Sequence, residues 1–146
     1  MDKYRHILLA TDFSEHAERA AERAKELADL YQARLTLLHA VEDLVLYDEF
    51  YDPVIPDRLE VDQERLNRGH EMLVKLAERI GAKEAHSEAR LGYPKAVILE
   101  YAEEQKVDLI VVGSHGHRGL ARLLGSTARA LVNDAPCDVL RVRLPG

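Results

Sequence analysis

A chain of 146 residues with 47% hydrophobic content is long enough to bury one substantial core, and we expect a single domain over residues 1–146. Its net charge of −6 argues against nucleic-acid binding, which usually requires a basic stripe that neutralises phosphates. No apolar run approaches the roughly 20 residues that span a bilayer, and the N-terminal stretch lacks the apolar segment of a signal peptide, so we predict a cytoplasmic protein.

Short apolar runs alternate with longer amphipathic ones along the whole chain. The apolar runs predict strands, and the spacing of apolar residues in the longer segments predicts helices. The predicted elements in order are strand 7–10, helix 17–31, strand 35–41, helix 59–80, strand 86–91, helix 94–105, strand 107–112, helix 127–133 and strand 138–142. This alternation predicts an α/β fold, an open parallel sheet with helices on both faces and right-handed crossovers.

Three predicted strands end in residues that could form a ligand site. They end at Ala10-Thr11-Asp12, at residues 39–41 and at Gly113–Gly116. In open parallel sheets the ligand binds beyond the carboxyl ends of the strands, where the strand order reverses. We therefore expect these three strand ends to converge on one crevice.

The third of these strand ends opens a glycine-rich segment, which reads VVGSHGHRGLARLLGST over residues 111–127. Glycines after a strand let the backbone turn sharply and bring its N–H groups close to an anion. The start of a following helix adds unpaired N–H donors and the positive end of the helix dipole. The segment therefore predicts a phosphate site, and so a nucleotide ligand.

Asp12 allows two interpretations. A carboxylate at the end of the first strand can hold a magnesium ion that bridges to phosphate oxygens. Alternatively, Asp12 caps the first helix together with Glu15, or leaves that capping role to Ser14. Combined with the glycine-rich segment, the ligand interpretation is favoured.

Several other residues could suggest metal binding or nucleophilic catalysis, but the sequence does not favour either. His39, His115 and His117 could suggest a transition-metal site, but polar loop histidines are the better interpretation, and no cysteine lies near this loop. Ser114 lacks the spacing of a nucleophile elbow. Cys137 is the only cysteine, which excludes an intrachain disulfide, and we expect it to pack as a core residue.

Two further features of the sequence each allow two interpretations. Arg118 and Arg122 could contact a phosphate or a partner, although a solvated helix face is favoured. The acidic, aromatic segment 43–57 could act as a lid or a dimer contact, or could be a solvent-exposed connection.

The order of these motifs resembles the universal stress protein family over essentially the whole chain. The residues that carry the resemblance are Ala10-Thr11-Asp12, Gly92-Tyr93-Pro94 with Ile98, Gly113-x-x-Gly116, Gly125-Ser126 and the ending Ala135–Val139. The nucleotide-binding branch of the family has the pattern G-x2-G-x9-G-[ST]. This chain departs from it by one residue, because eight residues separate Gly116 from Gly125.

The resemblance implies a five-stranded, Rossmann-like fold of the adenine nucleotide alpha hydrolase type that binds ATP, or ADP or AMP, with magnesium. It implies that main-chain atoms of Ala10, Thr11 and Val41 border the adenine, and that Asp12 positions the cation. Gly113 would approach the ribose. The remaining implied nucleotide contacts are Gly116, His117, Gly125, Ser126 and Thr127. The resemblance further implies a homodimer joined along the last strand, and a regulated protein partner such as a transporter.

Two classes of function, a regulatory protein and an enzyme, remain open on the sequence. The favoured one is a nucleotide-responsive regulatory protein of the stress response. The alternatives are a slow ATP hydrolase or phosphotransfer enzyme, and a dimeric stress protein that binds no nucleotide. The chain contains no Walker lysine, since no lysine follows Lys106, and efficient phosphoryl transfer needs such charge-neutralising groups. We therefore expect at most weak ATPase activity.

Overall fold

Five strands form one parallel sheet with the strand order β3-β2-β1-β4-β5. The computed structural model describes residues 3–14, 17–42, 57–113 and 129–143, without the side chains of residues 57–60. The strands are β1 His6–Ala10, β2 Arg34–Val41, β3 His86–Leu91, β4 Leu109–Gly113 and β5 Asp138–Val142. The predicted parallel α/β sheet is confirmed.

Three long helices connect these strands. They are α1 Ala17–Tyr31, α2 Asp57–Arg79 and α3 Pro94–Glu104, and residues 129–134 are also helical. The helix predicted over 127–133 begins outside the described residues. Within the described parts of the chain, no helix is long and apolar enough to cross a membrane.

The helices cover both faces of the sheet because successive residues of a buried parallel strand point to opposite sides. Helices α1 and α2 pack on one face, and α3 with the 129–134 helix packs on the other. The first face buries Ile7, Leu9, Leu35, Leu37, Leu73, Leu76, Leu109 and Val111. The second buries Leu8, Leu38, Ile98, Tyr101, Ile110, Val112 and Leu131. Burial on both sides explains why β1 and β4 read as continuous apolar runs.

The start of β4 differs from the prediction. The apolar run begins at Val107, but the strand begins at Leu109. Lys106 adopts a left-handed conformation with φ of 52° at the end of α3, and the Val107 amide donates to the Ala102 carbonyl at 2.9 Å. Val107 is therefore buried as part of the helix ending, and its apolar character does not mark a strand residue.

A buried polar network links the sheet to α3. His6 Nε2 lies 2.8 Å from Thr36 Oγ1, and the Tyr101 hydroxyl donates to the same oxygen at 3.2 Å. His6 Nδ1 lies 3.2 Å from the Gln105 carbonyl oxygen and 3.0 Å from a guanidinium nitrogen of Arg34. These partners satisfy polar groups that would otherwise be costly to bury.

The network predicts that acid destabilises the protein. Burial lowers the pKa of His6 and the Arg34 guanidinium acts in the same direction, although the hydrogen bond to Gln105 opposes them. Burial lowers the pKa of His39 as well. In the unfolded chain the imidazole has a pKa of about 6.5, and it binds a proton at a higher pH than the imidazole of the folded protein does. The free energy of unfolding should therefore be highest above the unfolded pKa and fall as pH decreases through it.

Urea unfolding at about pH 7.5 and about pH 5.5 measures this dependence. The His6→Gln variant keeps a polar side chain but cannot titrate, so its stability should change less between the two pH values than that of the wild type. An equal change in both proteins, or a gain of stability on acidification, would contradict the assignment to His6.

Cys137 has the structural role that its sequence context predicts. It is half-buried and packs against the cluster on the α3 face. Burial is the main cause that raises the pKa of its thiol to about 11, with the Asp138 and Asp108 carboxylates acting in the same direction. The thiolate form needed for nucleophilic work is therefore rare at neutral pH.

Candidate functional site

The strand order reverses between β1 and β4, and this is where a ligand site is expected. From β1 the chain proceeds outward to β2 and β3, then returns to the other side of β1 as β4. Ala10 and Gly113 end these two central strands. Ala10, Thr11, Asp12 and Gly113 line one depression together with residues of α1. The first strand end thus meets Gly113 as predicted, and the rest of the third strand end, residues 114–116, lies outside the described residues.

A second depression adjoins the first on the α3 face. The Ala10–Asp12 segment lines it as well, so the two depressions share one wall. Its other walls come from the end of β2 and the start of α3, namely Leu38, His39, Ala40, Pro94 and Ile98. Most of the residues that line this depression are apolar, which suits a flat apolar group better than a phosphate.

Three hydrogen bonds hold the loop after β1, one to β2 and two within the loop itself. The Thr11 amide donates to the Leu38 carbonyl at 3.0 Å, which continues the β1–β2 pairing beyond Ala10. The Phe13 amide donates to Thr11 Oγ1 at 3.1 Å, and the Ser14 amide donates to Asp12 Oδ1 at 2.9 Å. We call residues 11–14 the β1 loop.

Phe13 in the β1 loop adopts a left-handed backbone conformation, with φ of 59°. This conformation costs a residue other than glycine about 1–2 kcal/mol. Strain of this kind persists only where surrounding contacts impose it, and it concentrates at ligand sites. The β1 loop is therefore a constrained turn at the candidate site.

Asp12 lies in a turn ahead of α1 and also beside Gly113. Its Oδ1 accepts the Ser14 amide and closes a turn ahead of α1, whose first residue, Ala17, donates to the Ser14 carbonyl at 3.0 Å. Glu15, the proposed capping partner, lies outside the described residues. The same carboxylate lines the depression beside Gly113. A carboxylate has about four acceptor sites, so the turn and a ligand can use it together.

The chemistry of Asp12 fits magnesium bound through a phosphate. Among the described residues, no group of three or more His, Cys, Asp and Glu could hold a metal. Magnesium needs only one or two protein carboxylates when phosphates and waters complete its octahedron. Asp12 could therefore hold the cation of a nucleotide complex. His39 belongs to no metal cluster within that part of the chain.

His39 supports the β1 loop from the neighbouring strand. Its Nδ1 lies 2.8 Å from the Thr11 carbonyl oxygen, and because a carbonyl only accepts, Nδ1 carries the hydrogen. Its ring contacts the Phe13 ring with 4.4 Å between centroids. Burial lowers the pKa of the imidazole, against the opposing influences of the Thr11 hydrogen bond and the Asp12 carboxylate. Burial therefore favours the neutral form of the ring.

Val41 lies at the same end of the sheet but is turned away from the two depressions. Its carbonyl accepts the Gly92 amide at 2.9 Å. A methyl group of Val41 lies 3.5 Å from where a Cβ at Gly69 of α2 would stand. The main chain of Val41 thus joins β2 to the turn before α3, and the second lone pair of its carbonyl oxygen could still serve a ligand.

Half of the predicted nucleotide contacts fall outside the described residues. These are Gly116, His117, Gly125, Ser126 and Thr127, and the same holds for Ser114, His115, Arg118 and Arg122. The interpretations of segment 43–57 fall there as well, except for Asp57, which begins α2. The support that His39 gives to the β1 loop is not evident from the sequence. Its position at the end of β2 was a signal, but its contact with Thr11 depends on the register between β1 and β2.

A larger cavity, of about 660 Å³, lies at the opposite end of the sheet. Its lining includes Arg34, Lys83 and Gly81, and also Lys25 and Asp29, which form an ion pair with each other. It lies at the amino ends of β2 and β3. Ligands of doubly wound sheets bind at the carboxyl ends, so this cavity is not the candidate site.

Comparison with known proteins gives a consistent set of relatives. A family model described as the universal stress protein family matches residues 3–143. The chain is 38% identical over 147 residues to universal stress protein A homolog 2 of Coxiella burnetii, covering 100% of this chain and 99% of that protein. The structure of the universal stress protein UspA from Lactobacillus plantarum is similar with a TM-score of 0.81 and 29% identity, covering 98% of this chain and 100% of that chain.

One solved structure with a named ligand is also similar. It is described as a universal stress protein in complex with cAMP, and it matches with a TM-score of 0.64 and 27% identity. The match covers 97% of this chain and 98% of that chain.

Proposed function

Because this chain belongs to the universal stress protein family, we propose that it is a regulatory protein that binds an adenine nucleotide, ATP in the first place, at the crevice between β1 and β4. The observation that carries the proposal is the meeting of Ala10–Asp12 and Gly113 at the point where the strand order reverses. The similar protein whose structure contains cAMP supports an adenine nucleotide as the ligand class.

The two depressions suggest how the ligand is arranged. The apolar depression near Pro94 and Ile98 suits the adenine, and Asp12 at the shared wall suits a magnesium ion held by the phosphates. The phosphates would then run past Gly113 along the rest of the glycine-rich segment 111–127. In this arrangement ATP, ADP and AMP share the adenine contacts and differ in their contacts with the glycine-rich segment.

The regulatory role follows from what the crevice offers chemically. Binding can change the conformation or the partner affinity of a protein without any reaction, provided that the ligand prefers one state. We propose that the nucleotide state is read by a protein partner, with a regulated transporter as one possibility, and that any ATP hydrolysis is slow.

We further propose a homodimer in which the last strands of two copies lie together. β5 ends the sheet beside β4, and an edge strand presents unpaired N–H and C=O groups that need a partner or a cover. Light scattering should then give twice the mass of the chain, and the mass of a single chain would contradict the dimer.

The nucleotide proposal is tested on the purified protein. Nucleotide released by denaturation should be identified by chromatography as an adenine nucleotide, and calorimetry with Mg–ATP should give one site per chain. Gly116→Val should weaken binding by about ten- to a hundredfold, because the added side chain would block the close approach of backbone N–H groups to a charged phosphate. Gly81→Ala, at the other end of the sheet, is the control and should bind as the wild type does.

Two results would contradict the proposal. One is the absence of both copurified nucleotide and binding at millimolar ATP. The other is equal affinity in the wild type and Gly116→Val. Either would favour the dimeric stress protein that acts without nucleotide.

A further inference from the structure

We propose that His39 is a positioning residue for the nucleotide site, which holds the β1 loop in its binding conformation through the Nδ1–H bond to the Thr11 carbonyl. The inference rests on the proposed function, because it concerns the loop that carries Asp12. The loop follows β1, but the side chain that holds its conformation belongs to β2.

The contacts of His39 lie at the two points that fix the β1 loop. The 2.8 Å bond to the Thr11 carbonyl restrains the peptide unit that leads into Asp12. The ring contact, with 4.4 Å between centroids, restrains Phe13, whose φ of 59° is unfavourable without support. Loss of the hydrogen bond should let Phe13 return to an ordinary conformation and carry Asp12 away from Gly113.

The fold gives His39 little room to move. A Cβ built at Gly69 of α2 would lie 3.4 Å from Cδ2 of His39, so the backbone of α2 packs closely behind the ring. His39 itself lies within β2, where His39 pairs with Ala89 of β3. Because the ring is held between α2 and the β1 loop, its place on β2 fixes the position of the Thr11 carbonyl.

Two substitutions separate the hydrogen bond from the ring contact. His39→Phe keeps an aromatic ring against Phe13 but has no donor for Thr11. His39→Asn loses the ring but places an amide N–H near the position of Nδ1. If the hydrogen bond is the positioning element, His39→Asn should behave as the wild type and His39→Phe should not.

The first readout is amide hydrogen exchange in the nucleotide-free protein. The Phe13 and Ser14 amides are bonded within the β1 loop, so their exchange should accelerate about tenfold in His39→Phe and stay within about threefold in His39→Asn. The Asp108 amide, which donates to the His6 carbonyl at the other end of the sheet, reports global unfolding and should not change.

The second readout is nucleotide affinity by calorimetry. His39→Phe should raise the Kd for Mg–ATP about three- to tenfold, the value of one hydrogen bond, and His39→Asn should restore it. Unchanged loop exchange in His39→Phe, or changed exchange with unchanged affinity, would overturn the role of His39. If the wild type binds no nucleotide while loop exchange still depends on His39, the control of the β1 loop stands and the nucleotide function fails.

If His39→Phe does not fold, the tautomer of the His39 ring in the wild type tests the proposal instead. The proposal requires the Nδ1–H tautomer of a neutral imidazole, which nitrogen chemical shifts distinguish from the Nε2–H form. A ring that carries its hydrogen on Nε2 cannot donate to Thr11 and would overturn the proposal.

Discussion

Replacing Gly92 by alanine should destabilise the protein by about 2–5 kcal/mol, because two separate costs add. Gly92 has φ of +141°, a backbone conformation that side chains rarely allow. A Cβ at this position would also stand 2.8 Å from Cγ2 of Val97, a buried residue of α3. Val97 has little room to withdraw, because it is buried in α3 and a β-branched side chain in a helix has one strongly preferred rotamer.

Gly81 provides a matched control for this prediction. It also has a positive φ, of +74°, but no heavy atom lies within 4 Å of the Cβ that alanine would add. Gly81→Ala should therefore cost only the conformational part, about 1 kcal/mol. Urea unfolding of both variants gives the comparison. Equal losses in the two variants would show that the contact with Val97 does not matter.

The second large effect is expected at Asp12. Asparagine keeps the side-chain oxygen that accepts the Ser14 amide, so the turn before α1 should survive in Asp12→Asn. The negative charge is lost, and with it the proposed magnesium contact. Affinity for Mg–ATP should fall about ten- to a hundredfold, the value of an interaction with a charged group, whereas affinity for ATP without magnesium should change little.

Asp12→Ala and a distant carboxylate complete the test. Alanine also removes the acceptor for Ser14, so this variant should lose affinity both with and without magnesium. Asp108 is the control, because its carboxylate likewise accepts backbone amides, from Arg5 and His6, but at the other end of the sheet. Asp108→Asn should leave nucleotide affinity unchanged. Wild-type Mg–ATP affinity in Asp12→Asn would contradict the proposed role of the carboxylate.

Much of the fold could be predicted because periodicity and burial agree along this chain. The predicted bounds of β3, β5 and α1 match the structure, since each is flanked by residues that end an element or by a clear change of pattern. The start of β4 could not be predicted, because Val107 is as apolar as the strand that follows. Its exclusion from β4 depends on the left-handed turn at Lys106, which residue type alone does not reveal.

The site was predictable to the extent that topology determines it. Parallel strands bring their carboxyl ends to one edge of the sheet, so Ala10–Asp12 and Gly113 had to be neighbours once β1 and β4 were central. The support of the β1 loop was not predictable. A phenylalanine gives no sign of a positive φ, and the bond from His39 to Thr11 depends on three-dimensional contacts across two strands.

The most direct test of the central claim is to locate the bound nucleotide in solution. Mg–ATP should be titrated into ¹⁵N-labelled protein while the amide resonances are followed. We expect the amides of Thr11, Asp12 and Gly113 to shift with a common Kd, and those of Gly81 and Ala85 at the opposite cavity to stay unchanged. Shifts confined to Gly81 and Ala85, or no shifts at saturating ATP, would contradict a nucleotide site between β1 and β4.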